Sequence, residues 1–217
     1  MIKTIIFDLG GVLYNINHFR TRAALAALAA DPDSVNLSLE AQADVFSKYE
    51  AGKLTSDEFR DSLRASYGMT ASDEQIDNAW NAMLGGVIPQ SIELIRSLRN
   101  RFNVYLLSNI NDIHFKAIES ECAALFSTFD ECYFSYLIGM RKPDREIYEY
   151  VLSNTNSLPE QSLFIDDAPQ NIRGAQEAGI ATYHVTQEYP ISKEKLQIAL
   201  DIDANSKFVV SLRSNVE

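Results

Sequence analysis

The sequence predicts an α/β fold in which helices flank a parallel β-sheet and a helical segment is inserted after the first strand. Short β-rich runs alternate with longer segments of helical periodicity, a pattern typical of parallel sheets. One stretch of the 217-residue chain, from about 17 to 87, has no strand-like run and contains several helix starts. We therefore predict an α/β core domain from residues 1–16 and 88–217, and an all-helical cap domain from residues 17–87.

Five runs rich in β-branched and aromatic residues predict the strands of the core. They cover residues 3–7, 103–107, 131–135, 162–166 and 181–185. The segments between them predict the crossover helices, at residues 89–101, 111–126, 144–156 and 169–178. The first of these helices opens with Pro89 and repeats apolar residues at Ile92, Ile95 and Leu98, as an amphipathic helix does.

The inserted segment carries two strong helix-start signals. "TSDE" (55–58) and "SDEQ" (72–75) both match the capping box, in which a Ser or Thr precedes a Glu or Gln by three residues. An insertion of about seventy residues after the first strand is most simply a cap over the carboxyl edge of the sheet. Open α/β sheets bind their ligands at that edge.

Charge and composition exclude several classes of function. Thirty acidic against nineteen basic residues give a formal net charge of −11, which disfavours non-specific binding to nucleic acid or to an anionic membrane. No apolar run approaches the roughly 20 residues that span a bilayer, and two cysteines are too few for a disulfide framework. We predict a cytoplasmic protein that binds neither nucleic acid nor membrane, and the sequence leaves its oligomeric state open.

Polar residues with chemical potential follow four of the predicted strands. Taken singly, each could be a turn or cap residue. Together they reach one edge of a parallel sheet, which makes a shared site the better interpretation. These residues are Asp8, Ser108, Asn109, Lys142, Asp166 and Asp167.

The chemistry that these residues support is phosphoryl transfer. Asp8 precedes Gly10 and Gly11, whose missing Cβ atoms let a ligand approach the backbone, so Asp8 suits a carboxylate nucleophile that attacks phosphorus. The adjacent acids Asp166 and Asp167 would repel each other without a hard cation, and Mg²⁺ prefers carboxylates, waters and a substrate phosphate.

The remaining polar groups of the predicted site would hold the phosphate. The side chains of Ser108 and Asn109 can donate hydrogen bonds to phosphoryl oxygens, with the backbone at Gly11 close by, and Lys142 can neutralise charge during transfer. We therefore predict Asp8 and Lys142 as catalytic residues.

Four segments, in order along the chain, resemble the motifs of the haloacid dehalogenase (HAD) superfamily. They are "FDLGGVL", "LLSN", "GMRKPD" and "FIDDAPQNIRGAQEAG". "YEAGKLTSDEF" (49–59) also resembles part of the helical cap that one branch of this superfamily carries between motifs one and two. The resemblance, closest to the α-D-glucose-1-phosphatase type, implies a Rossmann-like core and a Mg²⁺-dependent phosphomonoester hydrolase with a phosphoaspartyl intermediate. It further implies metal ligation by Asp8, the Gly10 carbonyl and Asp167, with Asp166 behind them.

One position departs from the pattern of the family phosphatases. They usually carry a second Asp two residues after the nucleophile as a general acid, and this chain has Gly10 there. A small phosphorylated metabolite with a better leaving group, such as a sugar 1-phosphate, would suit an enzyme without that acid. Two alternatives stay open: a phosphate-binding regulator that turns over weakly, and a 2-haloacid dehalogenase, which would need no metal.

Overall fold

A computed structural model describes residues 1–35, 45–188, 190–196 and 200 of the chain. Its core is a five-stranded parallel sheet, and all five predicted strands are confirmed. The strands are β1 (Thr4–Phe7), β4 (Asn103–Ser108), β5 (Glu131–Phe134), β6 (Ser162–Asp166) and β7 (Ala181–His184), in the spatial order β5-β4-β1-β6-β7. The predicted α/β fold class is therefore correct.

Nine α-helices are assigned within the described residues. Those of the core are α5 (Ser91–Leu98), α6 (Asp112–Phe126), α7 (Ser135–Ile138), α8 (Arg145–Asn154) and α9 (Pro169–Glu177). Those of the inserted segment are α1 (His18–Ala26), α2 (Val45–Glu50), α3 (Ser56–Tyr67) and α4 (Asp73–Asn81). The predicted cap and core domains each extend over residues outside the described ranges, namely 36–44, 189, 197–199 and 201–217.

Strand β1 is central, and all four of its residues are buried. Phe7, its last residue, pairs in register with Leu106 of β4 on one side and Ile165 of β6 on the other. The three strands therefore end at nearly the same level. This register is what brings the residues after them to a common edge.

The helices of the inserted segment share a hydrophobic cluster that contains four buried aromatic residues, and core helix α6 contributes Ile113 to it. Phe46 stacks on Trp80 with ring centroids 5.2 Å apart, and Tyr49 stacks on Phe59 at 4.2 Å. Both predicted capping boxes are confirmed, with Thr55 at the start of α3 and Ser72 at the start of α4.

A second, two-stranded antiparallel sheet is absent from the sequence prediction. It pairs β2 (Tyr14–Ile16) with β3 (Leu84–Val87), at the two points where the chain leaves and re-enters the core. The prediction that residues 17–87 contain no strand is therefore wrong at β3. The reason is physical: "LGGV" has two glycines and weak strand propensity, so the strand depends on its pairing with β2.

No helix in the described part of the chain has the length and apolar character needed to cross a bilayer.

Candidate active site

The carboxyl edge of the sheet gathers the residues that the sequence singled out. Asp8 follows β1, Ser108 and Asp166 are the last residues of β4 and β6, and Asp167 comes next in the chain. Lys142 lies in the loop between α7 and α8. The predicted residues thus meet at one place, and the roles assigned to them are proposals.

Lys142 joins two of the carboxylates. Its side chain is fully buried, and its Nζ lies 2.8 Å from Oδ1 of Asp8 and 2.7 Å from Oδ2 of Asp166. Burial alone would lower the pKa of Lys142, but the two neighbouring carboxylates outweigh it and raise the pKa above its ordinary value. The lysine is therefore a fixed ammonium ion between two acids.

Asp166 is surrounded by donors. Besides Lys142, its oxygens accept hydrogen bonds from the backbone N–H of Ala168 at 2.8 Å and from the Asn171 amide at 3.1 Å. Such a saturated carboxylate orients its neighbours rather than reacting. Asn171 was missed as a site residue, although the "DDAPQN" motif contains it.

The cluster of Asp8, Asp166 and Asp167 has the chemistry of a divalent cation site. Each side chain offers one oxygen, and these oxygens all lie within 4.8 Å of one another. The pKa of Asp8 is raised to about 7, mainly by burial and also by the charges of Asp166 and Asp167, against the opposing effect of Lys142. Burial and the charge of Asp166 also raise the pKa of Asp167. Because a hard cation would relieve this repulsion with oxygen ligands, the residues present fit Mg²⁺.

Gly11 leaves the space that the Asp167 carboxylate occupies. Its backbone has φ +71°, and a Cβ built there would lie 2.1 Å from Oδ2 of Asp167. Glycine is thus needed at this position for two reasons, the left-handed backbone and the close approach of Asp167.

Gly10, in contrast, faces an apolar side chain. A Cβ at Gly10 would lie 3.3 Å from Cδ1 of Ile16. The position at which family phosphatases carry their second Asp is therefore covered here by hydrocarbon. Ile16 was missed by the sequence analysis because no local signal places it against Gly10.

Ser108 and Asn109 differ in what their side chains do. The Ser108 side chain is buried, and its hydroxyl has no hydrogen-bond partner within the described residues. The Asn109 amide pairs with the main chain of Lys142, donating to its carbonyl at 2.8 Å and accepting from its N–H at 2.9 Å. The side chain of Asn109 therefore positions Lys142, a role that the sequence did not suggest.

The cap contacts the core beside this edge. Arg141 donates to Oε2 of Glu50, on cap helix α2, with N···O distances of 2.8 and 3.1 Å. Between cap and core lies a cavity of about 120 Å³ whose lining includes Gly10, Ser108 and Asn109. This cavity therefore offers space next to the predicted site for the part of a ligand beyond its phosphate.

Comparison with known proteins places this chain in a family. The haloacid dehalogenase-like hydrolase model matches residues 2–179. D-ribitol-5-phosphate phosphatase from Bacteroides thetaiotaomicron is 32% identical over 188 residues, which is 84% of this chain and 91% of that protein. A sesquiterpene phosphatase from Aspergillus oryzae is 29% identical, covering 90% of this chain and 96% of the relative.

A solved structure with a similar fold contains a metal and phosphate. It is a HAD family enzyme from Bacteroides thetaiotaomicron in complex with magnesium and inorganic phosphate, 34% identical to this chain. The TM-score is 0.77, and the match covers 90% of this chain and 99% of the other. The finer resemblance to the α-D-glucose-1-phosphatase type stays a prediction. By sequence, by fold and by the residues gathered at the sheet edge, the chain belongs to the haloacid dehalogenase-like hydrolase family.

Proposed function

We propose that this protein is a Mg²⁺-dependent phosphatase that hydrolyses a small phosphorylated metabolite through a phosphoaspartyl intermediate. The observation that carries the proposal is the placement of Asp8, which contacts Lys142 and lies among acids that fit a cation. The names of the two curated relatives, both phosphatases, support the same reaction.

Asp8 is the proposed nucleophile. A carboxylate oxygen of Asp8 attacks phosphorus, the bond from phosphorus to the ester oxygen breaks, and the alcohol leaves with a proton drawn from solvent. Water then attacks the acyl phosphate, which releases inorganic phosphate and restores the carboxylate. The ion pair with Lys142 fixes the rotation of the Asp8 side chain, so the attacking oxygen is oriented before the substrate arrives.

The other residues hold charge. Lys142 remains protonated and stabilises the negative charge near Asp8, while the Ser108 hydroxyl and the backbone N–H of Asn109 would donate to phosphoryl oxygens. The backbone N–H of Gly11 donates to the Tyr14 carbonyl at 2.9 Å, so the predicted phosphate contact at Gly11 is wrong for this group. Asp8, Asp167 and the Gly10 carbonyl would bind Mg²⁺ directly, with Asp166 in the outer coordination sphere. The cation supplies neutralisation of the phosphate and of the neighbouring carboxylates.

The cap would cover the phosphate and choose the alcohol. We assign residues 17–87 to this cap and residues 1–16 and 88–217 to the catalytic core. The hydrophobic cluster of the inserted helices, to which the core contributes Ile113, supports this division. The contact between Glu50 and Arg141 links the cap to the residue beside Lys142.

A phosphate-release assay tests the proposal. The purified protein is given p-nitrophenyl phosphate and a panel of sugar phosphates, with Mg²⁺ or with a chelator. We expect release only with Mg²⁺, and its loss in Asp8→Asn but not in the surface control Asp61→Asn, whose side chain is 74% exposed.

The same assay separates the alternatives. Halide release from a 2-haloacid without metal would identify a dehalogenase. Phosphate binding without turnover would identify the regulator. Either result would overturn the proposed phosphatase activity.

A further inference from the structure

We infer that the substrate's alcohol is apolar and about the size of a six-membered ring, so that the enzyme prefers phosphate esters of hydrocarbon alcohols to those of polyols. This inference rests on the proposed function and concerns the same site. It comes from the cavity between cap and core.

The cavity begins where the phosphate would be. Its lining includes Gly10, two residues after Asp8, and Ser108, whose hydroxyl lacks a partner in the described structure. The alcohol of an ester whose phosphorus lies at Asp8 therefore has this space within reach. The volume is about 120 Å³, and a cavity of about 150 Å³ is known to hold benzene, so a ring of about six carbons matches the space.

The walls of the cavity are mainly hydrocarbon. They come from both the cap and the core, and Ile16 covers Gly10 at the point where the ester oxygen would leave. The apolar side chains that define them are Ile16, Phe46, Trp80, Met83, Leu84 and Ile110.

The polar groups of the lining already have partners. His114 accepts a hydrogen bond at Nδ1 from the Asn111 amide, and its Nε2 lies 3.1 Å from the Trp80 carbonyl. The Tyr14 hydroxyl donates to Glu121 at 3.0 Å.

Two further polar side chains of the lining also have hydrogen-bond partners within the protein. The Asn109 side chain is paired with Lys142, and Oε2 of Glu50 is paired with Arg141. Among the side chains that line the cavity in the described part of the chain, Ser108, the second Glu50 oxygen and the exposed His18 are those left to meet a substrate hydroxyl. A polyol would lose several hydrogen bonds to water and regain few, and burying a hydroxyl without a partner is unfavourable.

Two substrates of equal ring size isolate this property. Cyclohexyl phosphate and inositol 1-phosphate share a six-carbon ring and differ in their hydroxyl groups. With the Mg²⁺-loaded protein we expect kcat/KM to be at least about tenfold higher for cyclohexyl phosphate, mainly through a lower KM. An equal or higher value for inositol 1-phosphate, or for ribitol 5-phosphate, would overturn the inference and leave the phosphatase activity standing. If no ester releases phosphate, p-nitrophenyl phosphate included, the proposed function is overturned, and the inference with it.

A pair of matched variants locates the preference. Leu84 lies in the cavity wall, is half-buried and pairs with Ile16 across the two-stranded sheet. Leu84→Gln should reduce the ratio of cyclohexyl to inositol phosphate turnover several-fold, because it adds a hydrogen-bonding group to the wall. Leu137→Gln makes the same change at an exposed leucine outside the cavity lining and should leave the ratio unchanged. An unaltered ratio in folded Leu84→Gln would contradict the assignment of the cavity to the alcohol.

Discussion

The Nζ atom of Lys142 lies 2.8 Å from Oδ1 of Asp8, and both side chains are buried. The same ammonium group contacts Asp166 at 2.7 Å. A buried cation between two buried acids neutralises charge that the interior would otherwise not tolerate. The pair therefore serves both the stability of the sheet edge and the orientation of the proposed nucleophile.

Removal of this ammonium group should affect both properties. We expect Lys142→Met to abolish phosphate release and to lower the free energy of unfolding by about 3–5 kcal/mol, because two buried carboxylates lose their partner. Thermal or urea unfolding and the phosphate-release assay measure the two effects. Lys116→Met, at a lysine that is 70% exposed and paired only with Asp112 among the described residues, is the matched control and should change neither by much. A stable, active Lys142→Met protein would contradict the proposed role.

Gly11 offers a test of the metal site that leaves every carboxylate in place. A methyl group at this position would lie 2.1 Å from Oδ2 of Asp167 and would displace that carboxylate. We expect Gly11→Ala to weaken Mg²⁺ binding at least about tenfold in a calorimetric titration, a loss typical of a disturbed metal environment. Asp167→Ala should weaken it at least as much.

A second glycine separates the clash from backbone strain. Gly139 has φ +75°, close to that of Gly11, but a Cβ there would meet nothing within 4 Å. Gly139→Ala should therefore cost only the roughly 1–2 kcal/mol of a left-handed alanine and keep its Mg²⁺ affinity. Equal affinities in the Gly11→Ala and Gly139→Ala proteins would place the metal away from Asp167.

Gly10→Asp should supply the general acid that family phosphatases carry at this position. Its benefit should be largest for alkyl phosphates, because an aryl leaving group departs readily without a proton. The new Cβ would lie 3.3 Å from Cδ1 of Ile16, so Ile16 must shift by a few tenths of an ångström. We expect the ratio of alkyl to aryl phosphate turnover to rise in Gly10→Asp and not in Gly10→Asn, which has the same shape without the acid. A constant ratio would mean that another group already supplies the proton, and His18 would be tested next.

His114 should make the stability of the protein sensitive to mild acid. Its pKa is lowered from 6.5 to about 4, mainly by burial; the hydrogen bond to the Trp80 carbonyl opposes this shift and the nearby His18 adds to it. The unfolded chain therefore binds a proton at this residue between about pH 6.5 and 4, and the folded chain does not, so stability falls as the pH is lowered through that window. The loss from this residue between pH 7 and 5 is about 2 kcal/mol.

Replacement of His114 isolates that contribution. His114→Gln should unfold with a weaker dependence on pH than the wild type over the same window, even if it is less stable at pH 7. Urea unfolding at pH 7 and pH 5 gives, for each protein, the difference in the free energy of unfolding between the two pH values. An identical pH dependence in both proteins would show that His114 is not kept neutral by its surroundings.

The sequence predicts the parallel sheet and its reactive edge because both depend on local signals. Apolar runs that alternate with helical segments mark the strands. The ends of β1 and β6 then give the positions of residues such as Asp8 and Asp166. The missed features are non-local. Strand β3 is a glycine-containing segment that pairs only because β2 lies beside it, and the contact of Ile16 with Gly10 exists only after that pairing.

The role of Asn109 has the same explanation. Its position after β4 predicts a site residue, but its partner is the main chain of Lys142, 33 residues away. No local signal reports such a partner. Spacing therefore predicted that Asn109 belongs to the site, and folding determines what its side chain does there.

The most direct test of the proposed chemistry is to trap the intermediate. The Mg²⁺-loaded protein is mixed with excess p-nitrophenyl phosphate, quenched in acid within a turnover and digested, and the peptide containing Asp8 is analysed by mass spectrometry. We expect this peptide to gain the mass of one phosphoryl group, localised to Asp8, and to be unmodified in Asp8→Asn. Two results would contradict Asp8 as the nucleophile, each in a wild-type protein that releases phosphate. One is phosphorylation at another residue, and the other is an unmodified protein under conditions that trap the intermediate.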